Sequence, residues 1–117
     1  MTKDYSSRYH DMEKAKLKKL RNEFRDSVFK RDKNKCVYCC LPAVDAHHIT
    51  DRNEMPNGGY ATENGVSLCS EHHAMAEVYH QSSGAYWIVG FNPNELYKKI
   101  GSSYDKAYSA CESLNEK

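Results

Sequence analysis

Cys36-Val37-Tyr38-Cys39 and Cys69-Ser70-Glu71-His72, with 29 residues between them, frame the part of the chain that decides its fold. A two-residue gap lets both side chains of such a knuckle reach one ion, and a structural zinc takes four tetrahedral nitrogen or sulfur ligands. The two knuckles together make a Cys3His set. Cys40 is an alternative ligand to Cys39, and the spacing favours Cys39. Cys111, far from either knuckle, reads as a core residue of the last helix.

Between the knuckles, Val44-Asp45-Ala46-His47-His48-Ile49 reads as a short strand. Thr50 to Gly65 is turn-rich, with the dipeptides Gly58-Gly59 and Asn64-Gly65. Val66-Ser67-Leu68 is a candidate partner strand. Ser70 reads as the cap of a helix over about residues 71–80, with Glu71 in its first turn. Adjacent residues on a strand point to opposite sides, so His47 and His48 should do different jobs. One can hold a metal while the other faces water as a base, since an imidazole titrates near 6.5 when unperturbed. Lone histidines such as His10 and His80 read as surface or satisfied core residues.

Outward from this block, residues 11–31 lack Gly and Pro. Met12, Leu17, Leu20, Phe24, Val28 and Phe29 recur at helical spacing and predict an amphipathic helix ending near Lys33-Asn34. Residues 1–35 hold 12 Lys/Arg against 6 Asp/Glu, and the remainder holds 5 against 10. A basic arm on an acidic body suggests a polyanionic partner for the arm. On the other side, Ala85 to Val89 reads as an edge strand or buried link. Pro93 opens a short helix through Lys99, and Ser103 caps a last helix to about Leu114 with Tyr104, Ala107, Tyr108 and Cys111 on one stripe. Tyr86, Trp87, Tyr104 and Tyr108 are expected in the core rather than as base-stacking platforms. Three Phe, one Trp and nine Tyr make a modest core for 117 residues, one in which a metal staple would contribute much.

The ordered set Cys36-x-x-Cys39, Asp45-Ala46-His47-His48-Ile49, Gly58-Gly59-Tyr60, Glu63-Asn64-Gly65 and Leu68-Cys69-x-x-His72-His73 resembles the HNH nuclease family, also called the ββα-metal fold, over about residues 24–80. The resemblance implies an α+β fold in one domain: a basic helical arm over 1–35, a zinc-stapled core over 36–80 and a C-terminal extension over 81–117. It also implies roles. His48 matches the general base. His47, just before it, matches a position that holds the catalytic metal, and His73 matches the final histidine, its second protein ligand. Asn64 matches the central asparagine that braces the loop and orients the base. Family members usually carry Cys-x-x-Cys in the second knuckle, where His72 stands here. Small phage-associated members look similar in carrying tails such as 85–117.

The function expected on this resemblance is metal-dependent endonuclease cleavage of DNA. The cofactors would be a structural zinc and a catalytic divalent ion, Mg2+, Mn2+, Ni2+ or Zn2+. Two imidazole ligands favour softer ions, whereas completion by a carboxylate such as Asp45 or Asp51 favours Mg2+. Lys14, Lys18, Lys19, Arg21 and Arg52 are the candidate contacts to phosphate. The alternatives are a non-catalytic zinc-finger-like nucleic-acid-binding module and an RNA-directed nuclease. There is no apolar run of about 18 residues to cross a membrane and no secretory leader at Met1 to Tyr9, so the cytoplasm of a bacterial or phage-infected cell is expected.

Overall fold

The computed structural model describes the backbone of residues 3–114 and the side chains of residues 14–114. It is a small α+β domain. Helix α1 (Lys3–Arg31) leads through the first knuckle into β1 (Asp45–His48). Three short 3-10 turns then connect to β2 (Gly65–Leu68), followed by α2 (Ser70–Gln81), α3 (Pro93–Lys99) and α4 (Tyr104–Ser113). β1 and β2 form a two-stranded antiparallel sheet in which Asp45 faces Leu68, His47 faces Val66 and His48 faces Gly65. Among the described residues, no helix is long and apolar enough to cross a membrane.

α1 begins at Lys3, eight residues earlier than the apolar spacing suggests. Propensity carries it there, because no Gly or Pro interrupts the sequence, and among the described side chains the apolar stripe is buried only at Phe24 and Val28. Phe24 and Val28 are buried against the sheet, Leu17 is exposed, and Met12 lies outside the described side chains. The helix stops where Lys33 and Asn34 turn left-handed, at φ 59° and 61°. Its end is tied to β2. Arg31 donates to the carbonyls of Thr62 (2.9 Å) and Gly65 (2.7 Å), and the Asp32 carboxylate accepts from the Ser67 amide at 3.0 Å. Gly65 is required by this contact: a Cβ there would lie 2.5 Å from Val28 Cγ2 and 2.6 Å from the Phe24 ring.

α2 is capped by Cys69 rather than Ser70: the Cys69 sulfur accepts from the His72 amide, so Ser70 is already the first helical residue. α3 opens as expected at Pro93, behind a capping box in which Asn92 Oδ1 accepts from the Glu95 amide and the Glu95 carboxylate accepts from the Asn92 amide. Ser103 caps α4 through the Lys106 amide. One stripe of α4 is only half buried. Ala107 and Cys111 enter the core, while Tyr104 and Tyr108 stay exposed.

Residues 85–89 form no strand. The Ala85 amide donates to the Ser82 carbonyl and the Tyr86 amide to the Ser82 hydroxyl, so the segment curls onto the end of α2 instead of pairing with the sheet. Tyr86, Trp87 and Val89 are consequently exposed, contrary to the reading of the two aromatic residues as core. What the C-terminal segment does bury is Phe91, Leu96, Tyr97, Ala107 and Cys111, in one cluster with Ile49, Val66 and Leu68 of the sheet region.

Candidate functional site

The two knuckles meet. Single donor atoms of Cys36, Cys39, Cys69 and His72 all lie within 4.8 Å of one another. The Cys39 and Cys69 sulfurs are 3.7 Å apart, and His72 Nδ1 is 3.4 Å from the Cys36 sulfur and 3.2 Å from that of Cys69. With metal bonds of 2.3 Å to sulfur and about 2.0 Å to nitrogen, the edges of a tetrahedral zinc site are about 3.8 Å between sulfurs and about 3.5 Å between sulfur and nitrogen. The four residues therefore fit one ion. Cys40 lies outside this set. Its left-handed backbone (φ 63°) turns it out to solvent, so Cys39 is the partner of Cys36. Burial raises the Cys36 thiol, but backbone hydrogen bonds at Cys69, Tyr38 and Cys39 outweigh it and bring the group down to about 6. A backbone hydrogen bond at Leu41 lowers the Cys39 thiol, yet burial and the sulfurs of Cys36 and Cys69 drive it to about 11. Thiols this close cannot all ionise without a cation between them. The C-terminal segment closes one side of the cluster, where Phe91 stacks on Tyr38 (4.4 Å) and on His72 (5.7 Å).

A second cluster lies where β1 meets α2. Asp45, His47 and His73 bring one donor atom each within 4.8 Å of one another. His73 Nε2 is 3.1 Å from the Asp45 carboxylate and 3.2 Å from that of Glu77, and His47 Nδ1 is 3.2 Å from the same Glu77 oxygen. Such spacings suit nitrogen and oxygen donors around one divalent ion. Asp45 is two residues before His47, on the same face of the strand, and Glu77 is one turn after His73 on α2. Both signals were present in the sequence. Of the two carboxylates considered there, Asp45 joins the cluster and Asp51 does not; Asp51 instead accepts from the Asn53 amide at 3.2 Å. His47 is buried. Burial lowers its pKa against the opposing pull of Glu77, whose own carboxyl is brought to about 2, chiefly by its hydrogen bond to His47.

His48 faces the other way. Its ring stacks on Phe24 at 4.5 Å and meets the edge of Tyr60 at 5.1 Å. Burial lowers its pKa to about 4, helped by His47 and Arg52, so the imidazole is neutral near pH 7. Among the described residues, the Nε2 atoms of both His47 and His48 are buried without a hydrogen-bond partner. His80, expected as a bland histidine, bonds through Nε2 to the His48 carbonyl at 2.9 Å and helps to orient the strand.

Asn64 sits fully buried at the centre of a brace. Its Oδ1 accepts from the Thr50 amide (3.0 Å) and the Tyr97 hydroxyl (2.8 Å), and its Nδ2 donates to the carbonyls of Thr50 (3.0 Å) and Gly59 (3.1 Å). Tyr97 and the Thr50 hydroxyl are also bonded, at 2.6 Å. The loop immediately after His48 is thus pinned by an asparagine, as expected, and by a tyrosine from α3 that the sequence reading missed.

A groove of about 590 Å³ passes over His48, His47 and Asp45. Arg21 and Arg25 of α1 line one side, Arg52 and Asn53 another, and Glu77 and His80 of α2 a third. Of the expected phosphate contacts, Arg21 and Arg52 reach this groove. Lys14, Lys18 and Lys19 are exposed further along α1 and do not line it, whereas Arg25, one turn beyond Arg21, does. No protein-family model, no curated protein and no solved structure matches this chain.

Proposed function

We propose that this chain is a metal-dependent nuclease of the HNH, ββα-metal type that hydrolyses phosphodiester bonds of DNA. The observation that carries this reading is the division of labour on β1. His47 turns toward Asp45, His73 and Glu77, while its neighbour His48 turns to the opposite face of the strand, against Phe24 and Tyr60, and both border the groove lined by Arg21, Arg25 and Arg52.

On this reading Cys36, Cys39, Cys69 and His72 hold a structural zinc. Asp45, His47 and His73, with Glu77 bonded to both histidines, hold a divalent ion, Mg2+, Mn2+, Ni2+ or Zn2+, which when bound supplies positive charge to the phosphate and the leaving oxygen. Arg21, Arg25 and Arg52 draw the phosphate backbone over the site. His48, kept neutral by burial, takes the proton from the attacking water. Asn64, held by Tyr97 and Thr50, fixes the backbone just beyond His48 and so its aim at the phosphate.

A binding-only module is the second reading, and the stacking of His48 flat on Phe24, as a packing residue would lie, is the observation in its favour. Incubating the zinc-loaded protein with supercoiled plasmid in Mg2+, Mn2+ or Ni2+ separates the two. A nuclease nicks or linearises the plasmid and His48→Ala does not. A binding module retards the plasmid without cutting it under any of these conditions. Running structured RNA in parallel tests an RNA-directed nuclease, which would cut the RNA in preference.

A further inference from the structure

We propose that the cavity walled by Tyr79, Trp87 and Tyr104 is a stacking site for an unpaired nucleobase, reached by a strand whose phosphates lie on the basic groove. The proposal rests on the nuclease reading only in taking that groove as the phosphate path.

The cavity measures about 490 Å³, in the range of small-ligand sites. Trp87 is 49% exposed and Tyr104 45%, a costly display for two large aromatic side chains. Tyr79 and Trp87 stand with ring centres 6.1 Å apart and planes inclined at 49°, packed against one another, so a base would stack on the exposed face of Trp87 and not between the two rings. Trp87 is not held out by a loose loop. The Ser82 hydroxyl accepts from the Tyr86 amide at 2.9 Å and donates to the Tyr86 carbonyl at 3.1 Å, while the Gly84 amide donates to the Tyr79 carbonyl at 2.8 Å. Gly84 is left-handed (φ 84°), and a Cβ there would sit 3.2 Å from the Tyr79 hydroxyl, so the turn that presents Trp87 also fixes Tyr79.

The chemistry of the lining selects the occupant. None of the described residues around this cavity is Lys or Arg, whereas Arg21, Arg25 and Arg52 line the neighbouring groove. A phosphate belongs in the groove, and an uncharged aromatic ring belongs in the cavity. Asp51 lines both, so the two spaces adjoin along one wall. Asp51, Glu54 and Asn94 are among the lining residues and supply acceptors suited to the exocyclic amino group of adenine or cytosine. Aromatic faces accept any base, but a base can enter only when it is unpaired. The structure therefore favours a substrate with single-stranded character beside the scissile phosphate: a nick, a gap, a flap or a frayed end.

Trp87 is the chain's only tryptophan, and its fluorescence reports on the site directly. Zinc-loaded protein, with no second metal added, is titrated with a mixed-sequence single-stranded oligonucleotide and with the blunt duplex of the same sequence. The single strand should quench Trp87 saturably and the duplex should quench it little. In anisotropy with labelled oligonucleotides, Trp87→Ala and Tyr104→Ala should each weaken single-strand binding about tenfold, while duplex affinity stays within about twofold of wild type. Zinc content and circular dichroism identify any variant that fails to fold, and Tyr104→Ala, at an exposed position, keeps the test open if Trp87→Ala does. Unchanged Trp87 emission on saturation with single strand would overturn the proposal, as would equal losses for single strand and duplex. Plasmid cleavage by wild type with no quenching removes this inference alone. Quenching by single strand in a protein that cuts nothing removes the nuclease reading alone.

Discussion

The two candidate metal clusters share a helix turn and differ in almost every other respect. His72 and His73 are neighbours on α2, yet consecutive helical residues project about 100° apart. One goes to three sulfurs under a cover of Tyr38 and Phe91, and the other to carboxylates and an imidazole beside an open groove. On β1 the same separation is made by the strand, with His47 on one face and His48 on the other. Two adjacent pairs of residues thus point into four different surroundings. The soft, covered thiolate set suits an ion that never leaves. The nitrogen and oxygen set suits an ion that exchanges and touches substrate.

The largest effect should come from breaking the covered cluster. On the proposed reading Cys69→Ala removes a zinc ligand and the cap of α2 together, and on the order of 10 kcal/mol of folding free energy is at stake in such a zinc site. The variant should contain no zinc by elemental analysis and lose its helical circular dichroism. A well-folded, zinc-free Cys69→Ala would show that the knuckles do not staple the fold.

Variants at the open cluster should leave the zinc alone. His48→Ala is expected to slow single-turnover cleavage by about 10²–10⁴-fold with zinc content and DNA affinity near wild type. His73→Ala should differ from it by weakening second-metal binding at least about tenfold, with partial recovery at high Mn2+. If instead His47→Ala is inactive with metal binding intact while His48→Ala cuts normally, the roles of the two strand faces are exchanged.

A smaller effect should separate the groove from the rest of the basic arm. Arg21→Ala with Arg25→Ala should lower the slope of log affinity against log salt by about 2, the two phosphate contacts removed. The same experiment with Lys14, Lys18 and Lys19 replaced should change it less, because those side chains do not line the groove. Equal changes would spread the phosphate path along the whole of α1.

Smallest should be Tyr97→Phe, which removes one hydroxyl from the brace on Asn64. Leaving the buried Thr50 hydroxyl without that partner costs about 1–2 kcal/mol, or about 5 °C in Tm by thermal denaturation. Zinc content should not change, and a loss of zinc would mean that the two clusters are not independent.

How legible these regions were in the sequence follows from how local their signals are. The thiolate cluster is two short knuckles, and Cys36, Cys39, Cys69 and His72 could be read from spacing alone. His47, Asn64 and His73 came from an ordered pattern. Asp45 and Glu77 obey the strand and helix periods of His47 and His73, but carboxylates at those intervals are common, so the signal had little contrast. Tyr97 is 33 residues from Asn64, and nothing local announces their contact. Tyr86, Trp87, Tyr104 and Tyr108 are exposed where composition predicts core, and for Tyr86 and Trp87 the reason is that apolar composition does not say whether backbone partners are on offer. Ser82 captured that segment before a sheet could.

On the proposed reading one chain keeps two metals of unequal hold, the second of which enables cleavage. The most direct measurement is metal content per chain, together with supercoiled-plasmid cleavage, before and after brief chelation and after return of Mn2+ or Ni2+. About one zinc should stay through chelation, cleavage should disappear, and the returned ion should restore it in wild type but not in His48→Ala. Cleavage that persists in chelator with one zinc per chain, or that no returned ion restores in the folded protein, would contradict that reading.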